Sequence, residues 1–265
     1  MSETSVPMAE LFGVKIHSIR FAAAVTQLGR WMQDRPAAVR YVITPNLNHI
    51  IMYQRNAEFR SAYESAALIV PDGRYTKVLG RWLGEPILET INGSDLVPAL
   101  FSAHTGSRKL RVFLLGALPG VAERAAERIH ESWPMVQVSG VYSPPFGFEQ
   151  DPAETERILR RVDEAAADLL VVGISPPKQE VWVATHRQRL RAGVAICAGA
   201  TIDFLAGEKS RAPVWMQKSG LEWLHRMLTE PSRLAPRYFS DGWAVMGLLR
   251  KEFSSRLRSR FSKDS

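Results

Sequence analysis

The chain has little cysteine and no long apolar run. Of its 265 residues only Cys197 is a cysteine, so no internal disulfide can form. The longest apolar stretches, such as 169–174 and 193–200, are far shorter than the roughly 20 residues that a membrane-spanning helix needs. No hydrophobic leader opens the sequence, and these absences favour a protein of the reducing cytoplasm that does not cross a membrane. Cys197 lies in an apolar run, which favours a buried strand residue over a nucleophile.

Two common ligand-binding patterns are also missing. There is no Asp-x-Asp pair of the kind that holds a divalent metal beside a nucleotide diphosphate, and the six histidines are scattered. The Gly-x-Gly-x-x-Gly spacing of a nicotinamide dinucleotide site is absent, and no acidic residue follows at the expected distance. We therefore expect no metal site and no cofactor.

Positive charge is concentrated near the C-terminus. The formal net charge is +7, and residues 218–265 contribute +5 of it, with ten Lys/Arg against five Asp/Glu. An aromatic face beside a cationic face predicts an interfacial helix on anionic lipid. A partner-binding helix or a nucleic-acid contact has the same composition. The apolar side chains of this segment are Phe239, Trp243, Met246, Leu249, Phe253, Leu257 and Phe261, and the cations between and after them are Arg250, Lys251, Arg256, Arg258, Arg260 and Lys263.

Short apolar runs alternate with amphipathic helical patterns along most of the chain. Strands that lack alternation and lie between helices predict an α/β fold, with a Rossmann-like, mostly parallel sheet covered by helices on both faces. The C-terminal remainder reads as a helical region that Pro231 and Pro236 interrupt. We expect a core domain over 1–212 and a basic helical appendage over 213–265. The predicted strands are 41–43, 68–70, 112–115, 136–138, 169–172 and 194–196.

Polar and glycine-rich segments follow these strands, where ligands of parallel sheets bind. Each segment also has an ordinary structural explanation. Asp72 suits a turn, Thr44, Asn46 and Ser94 suit helix caps, and Lys178 in a first helical turn suits a solvated surface. The segments are 44–46, 71–73, 116–120, 173–178 and 199–203.

The most informative block lies between Arg211 and Arg237. It combines an apolar helical set with interleaved cations, and it resembles the signature of the WecG/TagA/CpsF glycosyltransferases, glycosyltransferase family 26. The resemblance spans roughly residues 10 to 240, and several motifs in the same order make it specific. The apolar set is Trp215, Leu221, Trp223, Leu224 and Leu228, and the other motifs are Thr44-Pro45-Asn46, Pro71-Asp72-Gly73, Gly93-Ser94-Asp95, Leu114-Leu115-Gly116, Pro177-Lys178-Gln179-Glu180 and Asp203-Phe204-Leu205-Ala206-Gly207.

The resemblance implies an inverting, metal-independent glycosyltransferase of cell-surface polysaccharide synthesis. Such an enzyme moves N-acetylmannosamine, its uronic acid or glucose from a uridine-diphosphate (UDP) donor to a polyprenyl-diphosphate-linked saccharide. Because relatives act on lipid-linked acceptors, we expect residues 237–265 to bind an anionic membrane surface and not nucleic acid. The protein would then be peripheral on the inner face of the plasma membrane, and self-association into a homo-oligomer is compatible with this arrangement.

The resemblance also implies roles for individual residues. The family's proposed general base matches Asp72, which would take the proton of the acceptor hydroxyl. Without a metal, cations must stabilise the leaving diphosphate. The catalytic cations are expected to be Arg226, Arg233 and Arg237, and the next candidates for this role are Lys209 and Arg211. The substrate-binding residues are expected to be Thr44, Asn46, Gly73, Asn92, Ser94, Asp95, Gly116, Lys178, Gln179 and Asp203.

The sequence departs from the family pattern at two places and leaves two rival functions open. Asn92 stands where the family usually has threonine, and residues 74–77 replace small or apolar residues, which bears on the sugar selected. One rival is a nucleotide-sugar oxidoreductase or epimerase, which the missing glycine pattern disfavours. The other is a basic adaptor that binds membrane or nucleic acid through 237–265 without donor turnover.

Overall fold

The computed structural model describes residues 6–34, 36–85, 87–219 and 221–261, except for the side chains of 214, 217, 218, 226, 233, 237, 253 and 255–261. The strands are β1 (Met8–Leu11), β2 (Val14–His17), β3 (Arg40–Ile43), β4 (Leu68–Ile69), β5 (Leu110–Gly116), β6 (Val136–Tyr142), β7 (Leu169–Gly173) and β8 (Val194–Cys197). The helices are α1 (Phe21–Trp31), α2 (Leu47–Arg55), α3 (Ala57–Glu64), α4 (Arg74–Trp82), α5 (Gly93–Ala103), α6 (Val121–Ser132), α7 (Pro152–Ala165), α8 (Lys178–His186), α9 (Thr201–Ala206), α10 (Val214–Ser219), α11 (Glu222–Thr229) and α12 (Pro231–Phe261), with a 3-10 turn at Phe148–Gln150.

Six strands form one parallel sheet in the order β4-β3-β8-β7-β5-β6. The α/β prediction is confirmed, and every predicted strand run falls on a strand of this sheet. The sequence pattern missed an antiparallel hairpin of β1 and β2. Its turn is formed by Phe12 and Gly13, both with positive φ, and Phe-Gly is not among the usual turn signals of a two-residue hairpin.

Helices cover both faces of the sheet because neighbouring strand residues point to opposite sides. Tyr41 and Ile43 pack into one apolar cluster with α2, α3, α7 and α8. Val42 packs into a second cluster with α1, α5, α6 and α9. Cys197 is fully buried in the first cluster, as predicted, and burial raises the pKa of its thiol well above the ordinary value.

Helix α12 packs back onto the core. Nδ2 of Asn48 in α2 donates to Oδ1 of Asp241 in α12 (3.3 Å), and Leu248 packs against the first apolar cluster. Leu249 packs there too, so one residue assigned by its spacing to the interfacial face instead contacts the core. None of the helices in the described ranges is long and apolar enough to span a membrane.

The expected break at Pro236 is wrong, because α12 runs through it. A proline inside a helix removes one backbone hydrogen bond and clashes with the preceding turn. Here Leu234 and Asp241, on either side of Pro236, are both buried. Tertiary packing on both sides of the proline therefore maintains the helix, whereas Pro231 begins it.

Candidate active site

The loops that follow adjacent parallel strands meet at one edge of the sheet. The backbone N–H of Asp72, after β4, donates to the carbonyl of Pro45, after β3 (2.8 Å). The N–H of Ala198, after β8, donates to Val172 in β7 (2.9 Å). The strand order therefore brings together loops that are distant in the sequence, at the edge where ligands of parallel sheets bind.

Asp72 is held rigidly at this edge. It is half-buried, and it lies between the last residues of β4 and Gly73, the N-cap residue of α4. Gly73 has a φ of 80°, a conformation that favours glycine. The N–H of Gly73 donates to Oδ1 of Asn92 (3.0 Å), so the turn that carries Asp72 is fixed from two sides.

A chain of polar contacts runs from this turn to the appendage. Nδ2 of Asn92 donates to Oδ2 of Asp95 (3.3 Å), and Arg211 binds both carboxylate oxygens of Asp95 at 2.7 and 3.3 Å. Nε of Arg211 lies 3.9 Å from Oε1 of Glu222 in α11. Burial lowers the pKa of Arg211, but the hydrogen bond to Asp95 and the charges of Asp95, Glu222 and Asp72 outweigh it, so the pKa is raised overall. Arg211, which the sequence analysis ranked below the three appendage arginines, is thus a cation near Asp72.

Thr44 and Asn46 both make structural contacts in the loop after β3. The buried Thr44 hydroxyl donates to the carbonyl of Cys197 (3.3 Å). Oδ1 of Asn46 accepts from the N–H groups of Asn48 (3.1 Å) and His49 (3.3 Å), so Asn46 is the N-cap of α2. The helix-cap interpretation holds for Asn46, and its substrate role stays a prediction.

Ser94 is not a helix cap. Helix α5 begins at Gly93, one residue before Ser94, and the N-cap position belongs to Asn92. Asn92 makes no capping hydrogen bond of its own and instead accepts from Gly73. Ser94 therefore stands in the first turn of α5, beside Asp95.

Gln179 is buried and holds the loop after β8. Its Oε1 accepts from the N–H of Gly199 (3.2 Å), and its Nε2 donates to Oε1 of Glu180 (2.6 Å). Segment 197–199 is therefore hydrogen-bonded from both neighbouring strands of β8. Thr44 follows β3 on one side, and Gln179 follows β7 on the other. Lys178, in contrast, forms an ion pair with Glu149.

Glu180, a carboxylate in the first turn of α8, is fully buried, although such residues usually lie on a solvated surface. Its Oε1 lies 3.9 Å from Nε2 of His49, whose Nδ1 shares a hydrogen bond with the Tyr63 hydroxyl (2.8 Å). No described residue forms a hydrogen bond with Oε2 of Glu180. Burial raises the pKa of Glu180 to about 7. A sequence signal existed, because the apolar Val183 follows Glu180 by three residues and therefore shares its helical face.

Gly116 is required by the close approach of two loops. Its φ is 118°, and a Cβ there would lie 2.4 Å from the carbonyl oxygen of Gly173. The next residue, Ala117, donates its N–H to that same oxygen (3.0 Å). The turn 116–120 leads to Gly120, the N-cap of α6, and the role of its backbone amides at an anion stays a prediction.

Asp203 lies in the first turn of α9 and contacts the segment that follows this helix. Its carbonyl accepts from the N–H groups of Glu208 (3.0 Å) and Lys209 (3.4 Å). Nζ of Lys209 lies 4.0 Å from Oδ2 of Asp203 and 3.3 Å from Oε1 of Glu230. A structural role for Asp203 is therefore evident, and its substrate role stays a prediction.

The three appendage arginines fall on α11 and α12, but their side chains lie outside the described part of the structure. Arg226 belongs to α11, and Arg233 and Arg237 belong to α12. Within the described ranges, no group of three or more His, Cys, Asp or Glu side chains is arranged to hold a metal ion.

Comparison with known proteins agrees with the motifs at this edge. The profile of the glycosyl transferase WecG/TagA/CpsF family matches residues 9–259. An N-acetylglucosaminyldiphosphoundecaprenol N-acetyl-beta-D-mannosaminyltransferase of Bacillus spizizenii is 28% identical over 193 residues, which are 73% of this chain and 72% of that protein. A protein of the same name from Staphylococcus aureus is 25% identical over 226 residues, 85% of this chain and 86% of its own. The chain thus belongs to the WecG/TagA/CpsF family of glycosyl transferases.

Proposed function

We propose that this glycosyltransferase moves N-acetylmannosamine from a UDP donor to a polyprenyl-diphosphate-linked saccharide, with inversion and without a metal. The names of the two relatives support the sugar and the lipid-linked acceptor. Uronic acid and glucose donors are the alternatives within the family. The departures at Asn92 and at 74–77 make donor choice the point to test first.

The observation that carries the proposal is the placement of Asp72. Its turn is fixed by Pro45 and Asn92 at the ligand-binding edge of the sheet. A general base must be positioned before it can accept a proton in the transition state. In the proposed reaction, the acceptor hydroxyl oxygen forms a bond to the anomeric carbon, its proton passes to Asp72, and the bond from that carbon to UDP breaks.

One carboxylate is sufficient for a single displacement, which inverts the anomeric carbon. The relatives are named as β-transferases, and a UDP-hexose with an α linkage yields a β product by inversion. We assign the stabilisation of the leaving diphosphate to Arg226, Arg233 and Arg237, the cations expected from the family resemblance. Arg211 supports the assignment, because this core guanidinium contacts both Asp95, which is joined to the Asp72 turn through Asn92, and Glu222 of the appendage.

We place the enzyme on the inner face of the plasma membrane, where the lipid-linked acceptor would be met. Three described residues on the predicted interfacial face of α12 support this placement. Phe239, Trp243 and Met246 are 74%, 79% and 52% exposed. An exposed aromatic face beside cations suits the surface of an anionic bilayer.

The test is mass spectrometry of lipid-linked products made by the purified full chain from a panel of UDP sugars. We expect one added N-acetylhexosamine with UDP-N-acetylmannosamine, and the same product after exhaustive chelation. Loss of product with chelator that Mg²⁺ or Mn²⁺ restores would reject the metal-independent mechanism. Bound nicotinamide would favour the oxidoreductase rival, and membrane binding without any turnover would favour the adaptor.

A further inference from the structure

Helix α4 carries an outward face that combines aromatic residues with cations. Tyr75, Val78 and Trp82 are 44%, 37% and 64% exposed. The other outward residues of α4 are Arg74, Lys77 and Arg81, and the inward residues are Thr76, Leu79 and Gly80. We call the six outward residues, Arg74, Tyr75, Lys77, Val78, Arg81 and Trp82, the α4 face.

Packing within the described chain accounts for only part of this composition. A helix that covers a sheet normally turns charged or polar residues to solvent and keeps its large apolar residues inside. Here Leu79 supplies the apolar contact with the core, while Trp82 remains largely exposed. Nζ of Lys77 donates to the carbonyl of Leu88 (2.6 Å), and the Leu88 side chain is itself 44% exposed, so the apolar surface extends beyond the helix.

The α4 face lies beside both the candidate base and the appendage. Helix α4 begins two residues after Asp72. At its first turn, Tyr75 is close enough to Trp223 and Tyr238 for those side chains to affect the pKa of its phenol, which is raised, mainly by burial. Trp223 and Tyr238 pack edge to face with ring centroids 5.9 Å apart. Tyr238 directly precedes Phe239, the first exposed aromatic residue of α12.

We propose that the α4 face is a second lipid-contacting surface, which lies against the same anionic bilayer as α12. The inference rests on the proposed membrane association of α12 and extends it to the core. An anionic bilayer is the occupant that fits, because α4 has three cations and no carboxylate, and tryptophan and tyrosine suit the membrane interface. Two adjacent contact elements, one of which begins next to the Asp72 turn, would hold that turn at the level of the lipid diphosphate groups.

Single labelled cysteines in the full chain test both contacts. Cys197 is fully buried, so an exposed introduced thiol is the reactive one. An environment-sensitive fluorophore would be attached in Val78→Cys for the α4 face, in Trp243→Cys for α12, and in Glu127→Cys as a control. Glu127 is exposed on α6, which covers the second apolar cluster, whereas α4 packs on the first. Vesicles of phosphatidylglycerol and phosphatidylethanolamine with a nitroxide lipid would then be added.

We expect a blue shift and nitroxide quenching at positions 78 and 243 but not at 127. Quenching at 243 alone would overturn the α4 contact and leave the membrane association of α12 standing. Quenching at neither position would overturn both. Quenching at 78 alone would support the α4 face and contradict the placement of α12, whereas equal quenching at 127 would reveal unspecific insertion and overturn the inference.

Charge provides an independent test with a matched control. Arg74→Gln combined with Arg81→Gln should weaken vesicle binding, by about five-fold for each cation removed if each contributes roughly 1 kcal/mol. The control combines Arg30→Gln with Arg160→Gln, two exposed arginines on α1 and α7 that make the same charge change elsewhere. Equal vesicle affinity of the two double variants in a flotation assay would contradict the proposed contact.

Discussion

At the scale of single residues, backbone hydrogen bonds position the turn that carries the candidate base. Asp72 is positioned because its N–H and that of Gly73 are both hydrogen-bonded to neighbouring loops. Replacing the carboxylate with an amide should therefore leave the turn intact. A variant that changes only the carboxylate therefore tests the proposed proton transfer without disrupting the turn.

Asp72→Asn should retain donor binding and lower turnover by on the order of 10²–10⁴-fold, the usual range for the loss of a general base. Product formation and donor affinity would be measured on the same preparation. The matched control is Asp163→Asn, which makes the same chemical change on the exposed side of α7. Turnover of Asp72→Asn equal to that of the control would remove Asp72 from the mechanism.

Glu180 predicts a pH dependence of stability. Burial raises its pKa from 4.5 to about 7, and the titratable groups that face it from neighbouring elements are Tyr41, His49, Tyr63 and Cys197. Between these two pH values the folded protein keeps a proton that the unfolded chain has lost. The contribution of Glu180 to stability therefore falls as the pH rises through this window, by on the order of 3 kcal/mol in total, and the penalty is complete above the folded pKa.

Glu180→Gln should remove this decline, because the amide resembles the protonated acid and keeps an oxygen that can accept from Gln179. Free energies of unfolding in urea, at one pH of about 5 and one of about 8, provide the measurement. Glu164→Gln, on the exposed side of α7, is the control and should follow the unsubstituted protein. A Glu180→Gln variant that loses as much stability with pH as the control would show that another group titrates.

At the scale of elements, α12 has two faces with different roles. Asp241 is buried and accepts from Asn48, and Leu248 and Leu249 pack on the core. Phe239 and Trp243 are largely exposed. All of these residues belong to one helix. Asp241, Leu248 and Leu249 contribute contacts with the core, whereas Phe239 and Trp243 face outward.

Asp241→Ala should lower the free energy of unfolding by about 1–3 kcal/mol, because it leaves polar groups at the α2–α12 contact without their partner. Trp243→Ser should change stability by less than about 0.5 kcal/mol, as surface substitutions usually do, while weakening vesicle binding. Urea unfolding and vesicle flotation of both variants separate the two faces. Equal destabilisation by the two substitutions would contradict the division.

At the scale of the whole molecule, charge is distributed unevenly. Residues 218–265 carry +5 of the net +7. Summed charge of one sign directs association with oppositely charged surfaces, but it does not determine a fold. In the proposed membrane association, this excess of positive charge would orient the C-terminal segment towards an anionic bilayer.

Binding to phosphatidylglycerol vesicles should fall steeply between low and high salt, because the attraction between exposed charges is screened within about 10 Å at 0.1 M salt. Each cation near the surface contributes about 1 kcal/mol, so the six basic residues from Arg250 to Lys263 make a large part of the affinity sensitive to salt. Co-sedimentation across a salt series measures this effect. Affinity that does not change with salt, or equal binding to phosphatidylcholine vesicles, would contradict an electrostatic contact.

The sequence by itself determined the layered α/β fold, the absence of disulfides, and the set of loops that follow the strands. These properties depend on local periodicity and composition, which can be recognised within a single segment of the sequence. The apolar runs at 169–172 and 194–196 lack alternation, so both had to be strands buried on two faces. The position of Asp72 after such a strand was visible for the same reason.

Only the tertiary structure decided which of these loops meet. The order β4-β3-β8-β7 brings the Asp72 turn beside the Thr44 loop, and it places Gln179 against Gly199. Helical period marked a face containing Leu249 but could not show that the core covers this residue. The burial of Glu180 and the contact of Arg211 with Asp95 likewise depend on helices distant in the sequence. Local patterns determine which side of an element is apolar, whereas long-range packing determines what that side touches.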